Sequence, residues 1–584
     1  MDKPWLRFYG EVPHSLDYPD RTMYELLRDG GLRWPEGVAY DFMGRRGTYR
    51  RLLADIDRCA AALTARGLRA GDTVTVSLPN TPHALVFFYA LNRIGVIASM
   101  IHPLSTATEI EFYLRESKSR WIVTLDAFYE SAAAAASAAA VDTIVLASIG
   151  EFLPPLKRLG FWATSGRRIV RPPAGDRRVL RWKALMEPPP KAAAGAAAHN
   201  AAPRDATTHN AAAPGAEAPP KADDPAVILY SGGTTGSPKG IVLSSRNFNA
   251  LGLQVGTQGP VLPGDTILSI LPVFHGFGLG VCVHTFLIAG GTCVLVPRFT
   301  SASVAALIRA KRPQYMAGVP TLYESLAADP TMARTDLSCL KMIYAGGDKL
   351  PEPVKNRFDE FLRSRNGRTE LFEGYGLTES VTACIVTPRG HYRPGSIGIP
   401  LPDMLAKIVA PGTTDELPPD SDGELCVAGP TLMLGYLNSP EESAHALRVH
   451  PDGRTWLHTG DLCSMDADGF VYFRLRIKRI IKVSGVSVSP VLVEETLDRH
   501  PDVALSCVVG VPDNRKLQAI KAFVVLKNPS AASEEKAAEL IEYCRKHLIK
   551  WSVPESIEFR PSLPLTRVGK VAFSELEREH EARR

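Results

Sequence analysis

The chain has 584 residues, too many for one core, so two or more domains are expected. Its net charge of +5 is small for that length, so composition exerts no general pull toward nucleic acid, and the apolar and charged fractions are those of an ordinary soluble globular protein. Nine scattered cysteines with no C-x-x-C pair point to reduced thiols in a cytoplasmic setting, and away from a disulfide framework or a zinc site.

The opening stretch, MDKPWLRFYGEVPHSLDYPD, carries charges throughout and has no apolar centre, so no signal peptide is expected there. Residues 84–101 are interrupted by Asn92 and Arg93, and 131–140 is mostly alanine. Neither makes a membrane span of about 20 residues. Across 21–126 helical and strand patterns alternate. Leu52, Leu53, Ile56, Ala60 and Leu63 recur at helical spacing and stop at Gly67, and strands are expected at 73–78, 97–101 and 121–125 with helices at 84–93 and 109–116. Such alternation implies a doubly wound parallel sheet, with ligands at the carboxyl ends of its strands.

Residues 131–224 differ. A short alanine helix is expected at 131–140, and the Ala/Pro/Gly-rich run 191–220 has so little to bury that disorder is expected. Between them lies EFLPPLKRLGFW, followed by Arg167, Arg168, Arg171, Arg177, Arg178 and Arg181. Apolar bulk beside clustered arginine suits peripheral contact with an anionic membrane through 152–181; an exposed insertion with solvated charges is the plain alternative.

At 226–230 an apolar strand runs into the loop of ILYSGGTTGSPKG, residues 228–240. Gly232, Gly233 and Gly236 let backbone N–H groups approach an anion with no Cβ in the way. Ser231, Thr234, Thr235 and Ser237 add hydroxyl donors and Lys239 a positive charge, so the loop can cradle a polyphosphate. The Walker spacing is absent, and a flexible linker is the alternative. Further on, 265–272 reads as a strand entering PVFHGFGLG, a glycine-flanked turn that places Phe274 and His275 on a loop near the cradle. A strand at 342–344 ends in Gly346 and Gly347, and LFEGYGLT at 371–378 carries Glu373, Gly374, Tyr375 and Gly376 before Thr378 and Glu379. A hydroxyl and a carboxylate suit phosphate and magnesium respectively. Shorter strands at 406–409 and 423–427, then PTLMLGYLNSP, imply a β-rich subdomain. WLHTGDL sets Asp461 after a Thr-Gly turn, where it can accept both hydroxyls of a ribose or be a plain turn residue. Strands at 503–511 and 519–526 and a helix at 532–547 make a small α/β lobe, and LPLTRVGKVAF puts Lys570 on a loop.

These stretches together resemble the AMP-forming acyl-activating superfamily of acyl- and aryl-CoA ligases, adenylation domains and beetle luciferase. The segment 473–495, FRLRIKRIIKVSGVSVSPVLVEE, matches its hinge in Arg476, Lys478, Lys482, Gly485, Pro490 and Glu494, with Leu475 and Arg479 as departures; Arg479 stands where an acidic residue is common. Ser231 and Gly232 depart mildly from the usual Thr and Ser. The resemblance implies an α/β fold: a large N-terminal domain of doubly wound sheets plus a β-rich subdomain over 1–474, including the variable insertion 131–224. A hinge at 475–482 and a small mobile α/β lid over 483–584 complete it.

The resemblance also implies a reaction. A carboxylate attacks the α-phosphorus of ATP, and a thiol, coenzyme A, then displaces AMP. By that likeness the loop 231–240 with Lys239 holds the β- and γ-phosphates, and Thr378 meets the α-phosphate. Glu379, with Ser231 or Thr234, binds Mg²⁺. Tyr375 stacks on adenine in a slot shaped by Gly346, Gly347, Glu373 and Gly374, and Asp461 and Arg476 fix the ribose. Phe274 and His275 stand at the acyl end. Lys570 pairs with the carboxylate and the α-phosphate, two anions that otherwise repel.

EGYGLTES, GSIGIPLP and GELCVAGPTLMLGYLNSPE look most like medium- and long-chain fatty acyl-CoA ligases, and a multimodular peptide synthetase with a linked carrier domain is not expected. The alternatives are an enzyme loading an aryl or sterol acid onto CoA or a carrier-protein thiol, and a non-catalytic acyl- or nucleotide-binding protein. No nucleic-acid partner is expected.

Overall fold

The computed structural model describes residues 3–170, 172–173, 175–187, 219–231, 238–298, 300–483, 486–513, 517–565 and 571–582. Local sequence explains the first helices directly. Tyr49–Ala65 is started by Thr48, whose hydroxyl accepts from the Arg51 N–H, and it buries Leu52, Leu53, Ile56, Cys59, Ala60 and Leu63 on one face. That stripe is the 3.6-residue period of a helix lying on a sheet. The next helix, Pro82–Arg93, is buried along nearly its whole length, which explains why its sequence resembles a membrane segment. No helix among the described residues is long and apolar enough to cross a membrane.

Two sheets carry most of the chain. The first has eight strands, in the order Gly435–Tyr436, Gly240–Ser244, Pro225–Tyr230, Ile97–Met100, Thr73–Ser77, Trp121–Leu125, Thr143–Ala147 and Val179–Arg181. From Pro225–Tyr230 outward its pairing is parallel, as the alternating pattern of 21–126 implies. The second has nine strands and is parallel from Leu371–Tyr375 through Met342–Gly346, Tyr315–Gly318, Thr266–Ser269 and Thr292–Leu295 to Val38–Phe42. The strands Val38–Phe42 and Arg45–Thr48 precede the first sheet in sequence yet close the edge of the second. Parallel partners are far apart in the chain, so no local pattern announces such a crossover.

A five-stranded antiparallel sheet built on Leu405–Val409, Gly423–Ala428 and Thr455–Met465 forms the β-rich part. Beyond it, strands Ile481–Val483, Val486–Val488, Val503–Asp513, Leu517–Leu526 and Ser556–Phe559 with helices Pro490–Asp498 and Glu534–His547 make the small α/β lobe. That lobe has its own apolar core around Val493, Leu497, Val524 and Leu540. An ion pair between Lys349 and Glu495, 2.6 Å apart, joins the large part to it.

One local expectation changes. Of 265–272 only Thr266–Ser269 is strand; the turn at 272–275 forms, its His275 N–H donating to the Pro272 carbonyl at 3.2 Å, but Phe277–His284 beyond it winds as a π-helix. Gly278 and Gly280 allow it, because their bare backbones lie against neighbours that leave no room for a side chain. EFLPPLKRLGFW folds largely as a helix, Pro155–Ala163, started by its proline. Of the stretch 191–220, residues up to 218 lie outside the described ones.

Candidate active site

The strand Pro225–Tyr230 turns back as Gly240–Ser244, with Tyr230 opposite Gly240. Ser231 and Lys239 close the neck of the loop between them. The Ser231 N–H donates to the Lys239 carbonyl at 3.1 Å, and the Lys239 N–H donates to Ser231 Oγ at 3.4 Å. Gly232, Gly233, Thr234, Thr235 and Gly236 lie outside the described residues, as do Gly485 and Lys570. The Lys239 ammonium is 2.8 Å from Glu442 Oε2 and lies over the Tyr436 ring, 5.1 Å from its centre. Tyr436 in turn donates its phenol hydrogen to Glu379 Oε1 at 2.9 Å. Strand pairing carries Tyr436 here, since Gly435 and Tyr436 pair with Val242 and Ile241.

Glu379 comes from the end of the neighbouring sheet. Met342–Gly346 and Leu371–Tyr375 run parallel with Gly346 opposite Gly374 and Ala345 opposite Glu373. A Cβ on Gly376 would lie 1.2 Å from the Thr382 carbonyl, so only glycine lets the chain fold back this tightly. The fold-back continues through the 3₁₀ turn Thr378–Ser380 into Val381, a β-branched residue at φ 63. The Thr382 N–H donates to the Ser380 carbonyl at 2.7 Å across it, a strained γ-turn of the kind found where function fixes a backbone. Glu373 is buried and accepts from the Leu350 N–H at 3.0 Å. Burial raises its pKa to about 7.

A second constellation lies at Tyr375. Its phenol donates to Asp461 Oδ2 at 2.6 Å, and Arg476 Nε lies 2.8 Å from Asp461 Oδ1. Asp461 and Arg476 face each other on paired strands, and Asp461 is fully buried. Burial first, then the Asp461 carboxylate, keeps the Tyr375 phenol protonated well beyond its ordinary range. The Tyr375–Asp461 bond joins the second sheet to the antiparallel sheet, with the Phe473 ring 6.5 Å from that of Tyr375.

The third group comes from the segment before the π-helix. Asn80, at the end of a first-sheet strand, donates to the carbonyls of Ser269 and Leu271 at 2.8 Å and accepts from the Val273 N–H at 3.0 Å. One buried amide thus ties the two sheets together beside Phe274 and His275. The Phe277 N–H donates to His275 Nδ1 at 3.2 Å, and the Phe274 ring lies 4.5 Å from His102. A Cβ on Gly346 would come within 3.2 Å of the Phe277 ring, so the end of the second sheet and the π-helix meet. π-Helical turns recur at functional sites.

In the connecting segment Leu475 is buried in the strand Val471–Arg476, Lys478 is exposed in the turn Ile477–Arg479, and the Lys482 N–H donates to Gln518 Oε1 at 2.8 Å. Arg479, unusual there in sign, lies 2.7 Å from Glu494 Oε1 and over the Phe573 ring. Its charge therefore has a built partner. Sequence reasoning missed Tyr436 and Glu442 as neighbours of Lys239 and Glu379. Both stand in or beside GYLNSPEE, but only the pairing at Gly435–Tyr436 shows where they go.

Residues 27–437 match the model of the AMP-binding enzyme family, and 492–570 match its C-terminal domain. The chain belongs to the AMP-binding enzyme family. It is similar to the long-chain-fatty-acid–CoA ligase of Bacillus subtilis (strain 168), 34% identical over 579 residues, 97% of this chain and 96% of that one. It is also similar to the feruloyl-CoA synthase of Amycolatopsis sp, 29% identical over 548 residues, 93% of this chain and 96% of the other. Among solved structures it resembles the anthranilate CoA ligase AuaEII in complex with anthranoyl-AMP, with a TM-score of 0.76, 25% identity and coverage of 97% and 98%. As a member of this family the chain is an acid–thiol ligase that makes an acyl-CoA, with a carboxylate, ATP and CoA as substrates.

Proposed function

We propose that the carboxylate is a medium- or long-chain fatty acid, activated as its adenylate and passed to CoA. The observation that carries this reading is the 34% identity to a long-chain-fatty-acid–CoA ligase over nearly the whole length of both chains. A carboxylate oxygen attacks the α-phosphorus as pyrophosphate leaves; the CoA sulfur then attacks the acyl carbon as AMP leaves.

Positioning and charge neutralisation are what phosphoryl displacement asks of a protein. The loop from Ser231 to Gly236, with Lys239, receives the β- and γ-phosphates, and Thr378 the α-phosphate. Tyr375, Gly346, Gly347, Glu373, Gly374 and Gly376 form the adenine slot, and Asp461 and Arg476 hold the ribose. Phe274 and His275 face the acyl group. Lys478 and Lys482 belong to the hinge between 474 and 483, Gly485 borders the thiol's path, and Lys570 brings carboxylate and α-phosphate together. The Glu379 carboxylate and the hydroxyls of Ser231 and Thr234 are hard oxygen donors, a set that fits Mg²⁺. Bound Mg²⁺ supplies neutralisation of the phosphate charge.

A second reading has its own support: the feruloyl and anthranilate relatives take aryl acids. An ATP–pyrophosphate exchange panel from acetate to oleate, with feruloyl, anthranilate and sterol acids, separates the two. Highest kcat/KM on acids of eight carbons or more supports the proposal, and preference for an aryl acid overturns it. Replacing CoA by acyl carrier protein in the second half-reaction tests the acceptor.

The proposed setting is the cytoplasm, with peripheral contact on an anionic bilayer through the helix Pro155–Ala163. Leu156, Leu159 and Trp162 are 84%, 66% and 60% exposed along one of its sides, while Phe161 packs inward. Arg158 borders that face, the Lys157 ammonium on the other side donates to the Met43 carbonyl at 2.8 Å, and the Arg167 guanidinium lies over the Trp162 ring at 5.0 Å. Apolar side chains to insert and basic ones to meet headgroups are the two halves of an interfacial helix.

A further inference from the structure

We propose that Cys426, His450 and His458 form a binding site for a borderline-soft divalent cation, zinc foremost, within the antiparallel sheet and separate from the phosphate site. The sequence spacing hides it, because the three residues share no short motif. The fold assembles them. Cys426 and His458 are register partners on paired strands, and His450 follows the strand Leu447–Val449, which pairs with the other side of the strand holding His458. One ligand atom from each lies within 4.8 Å of the other two, and all three side chains are buried. His450 Nε2 and His458 Nε2 point at each other, 2.9 Å apart.

The surroundings have the form of a metal ligand's support. His458 Nδ1 is 3.0 Å from Glu424 Oε2, so the Nδ1–H donates to the carboxylate and Nε2 carries the lone pair, which accepts from His450 Nε2 when no ion is bound. A carboxylate behind a histidine in this way fixes the tautomer and orients the ring. Glu424 Oε1 accepts from the Gly460 N–H at 3.1 Å across a register shift between the two strands; Thr459 and Gly460 lie within the strand Thr455–Met465, and not in the turn the sequence suggests. His450 Nδ1 is buried with no partner among the described residues, so when the proton that bridges the two Nε2 atoms moves to it, His450 Nε2 is left free to ligate and only that one hydrogen bond is given up. Tetrahedral zinc needs its nitrogens roughly 3.3 Å apart, a few tenths of an ångström more than here. Cys426 gives its thiol proton to solvent as the sulfur binds the ion.

Charges act both ways. Lys407, opposite Cys426 on the next strand and over the Trp456 ring, and the half-buried Arg448 oppose a cation. Glu424, Asp452 and the thiolate favour it. A soft thiolate with two imidazoles selects zinc or cobalt over magnesium. The remaining grouping of this kind among the described residues, His500 with Asp502 and Glu539, has no sulfur and two exposed carboxylates.

The test uses full-length protein without a histidine tag, stripped with chelator and titrated with Co²⁺ in excess Mg²⁺. Expected is one equivalent bound, with a thiolate-to-cobalt charge-transfer band in the near ultraviolet that Zn²⁺ abolishes. Cys426→Ser should remove the band, and Glu424→Gln should weaken Co²⁺ binding by about 10–100-fold. Glu379→Gln should leave band and affinity unchanged. Should Cys426→Ser fail to fold, His450→Asn carries the same test, with a loss of at least tenfold in affinity. Absence of a stoichiometric thiolate band in the parent protein overturns the site and leaves a hydrogen-bonded histidine pair. So does a band that survives in folded Cys426→Ser or His450→Asn.

Discussion

Tyr436 and Glu379 are 57 residues apart in sequence and are joined by a 2.9 Å hydrogen bond from phenol to carboxylate. The bond fixes the direction of the one carboxylate that we propose as a magnesium ligand, while the same phenol ring carries the Lys239 ammonium on its face.

Tyr436→Phe keeps the ring and removes the hydrogen bond. The Mg²⁺ concentration for half-maximal adenylation should rise by about 10–100-fold, with KM for the carboxylate little changed. An unaltered Mg²⁺ profile would mean that Glu379 needs no such support or binds no metal.

Glu373 makes the stability of the fold depend on pH in an unusual direction. Burial lifts its folded pKa from 4.5 to about 7, so between those values the folded state holds a proton that the unfolded state has lost. Stability from this group therefore falls as pH rises from about 4.5 to 7 and stays low above it. Glu373→Gln removes the penalty, worth about 3 kcal/mol at most. Urea unfolding should show the variant gaining on the parent at pH 8 and little difference at pH 5; equal offsets at both values contradict the raised pKa.

Arg479 and Glu494 are mostly buried, so removing one charge strands the other. Arg479→Asp, which restores the acidic residue common at this hinge position, should destabilise the chain by about 3–5 kcal/mol in denaturant unfolding. Glu494→Lys in the same chain should recover part of that loss. Additive losses in the double variant would show that the pair is not coupled.

Lys570→Ala should lower adenylation by about 10²–10³ and largely spare thioester formation from preformed acyl-adenylate. Single-turnover pyrophosphate release and acyl-CoA formation, measured side by side, distinguish this from a general loss. A matching fall in both half-reactions removes the assigned role.

Vesicle flotation tests the exposed helix. Binding to vesicles containing phosphatidylglycerol should be strong at low salt, fall at raised salt, and drop sharply in Leu159→Glu with activity on a soluble short-chain acid unchanged. No salt-sensitive binding by the parent protein leaves the helix as a solvated surface insertion.

Much of this was readable from local pattern. The helix Tyr49–Ala65 and the strands Thr73–Ser77 and Trp121–Leu125 follow from apolar period, and glycine-rich strand ends mark where ligands can approach. The edge hairpin Val38–Thr48 was not readable, since its partner Thr292–Leu295 lies some 250 residues on. The Tyr375–Asp461 bond and the Cys426–His450–His458 cluster escaped for the same reason. Each depends on which strands become neighbours, and strand period reports only which face a residue takes. The π-helix after His275 was misread as a turn because glycine suits both, and only packing against the fold-back at Val381 decides between them.

The ion pair of Lys239 with Glu442 has a further consequence. A carboxylate held 2.8 Å from the ammonium is a tethered competitor for any incoming phosphate, present at a high local concentration. Simple anions at cellular levels must displace it with one contact. On the proposed placing of the β- and γ-phosphates at 231–240, a nucleoside triphosphate brings more than one contact and can make the exchange. On that proposal the pair favours a polyvalent anion over a simple one.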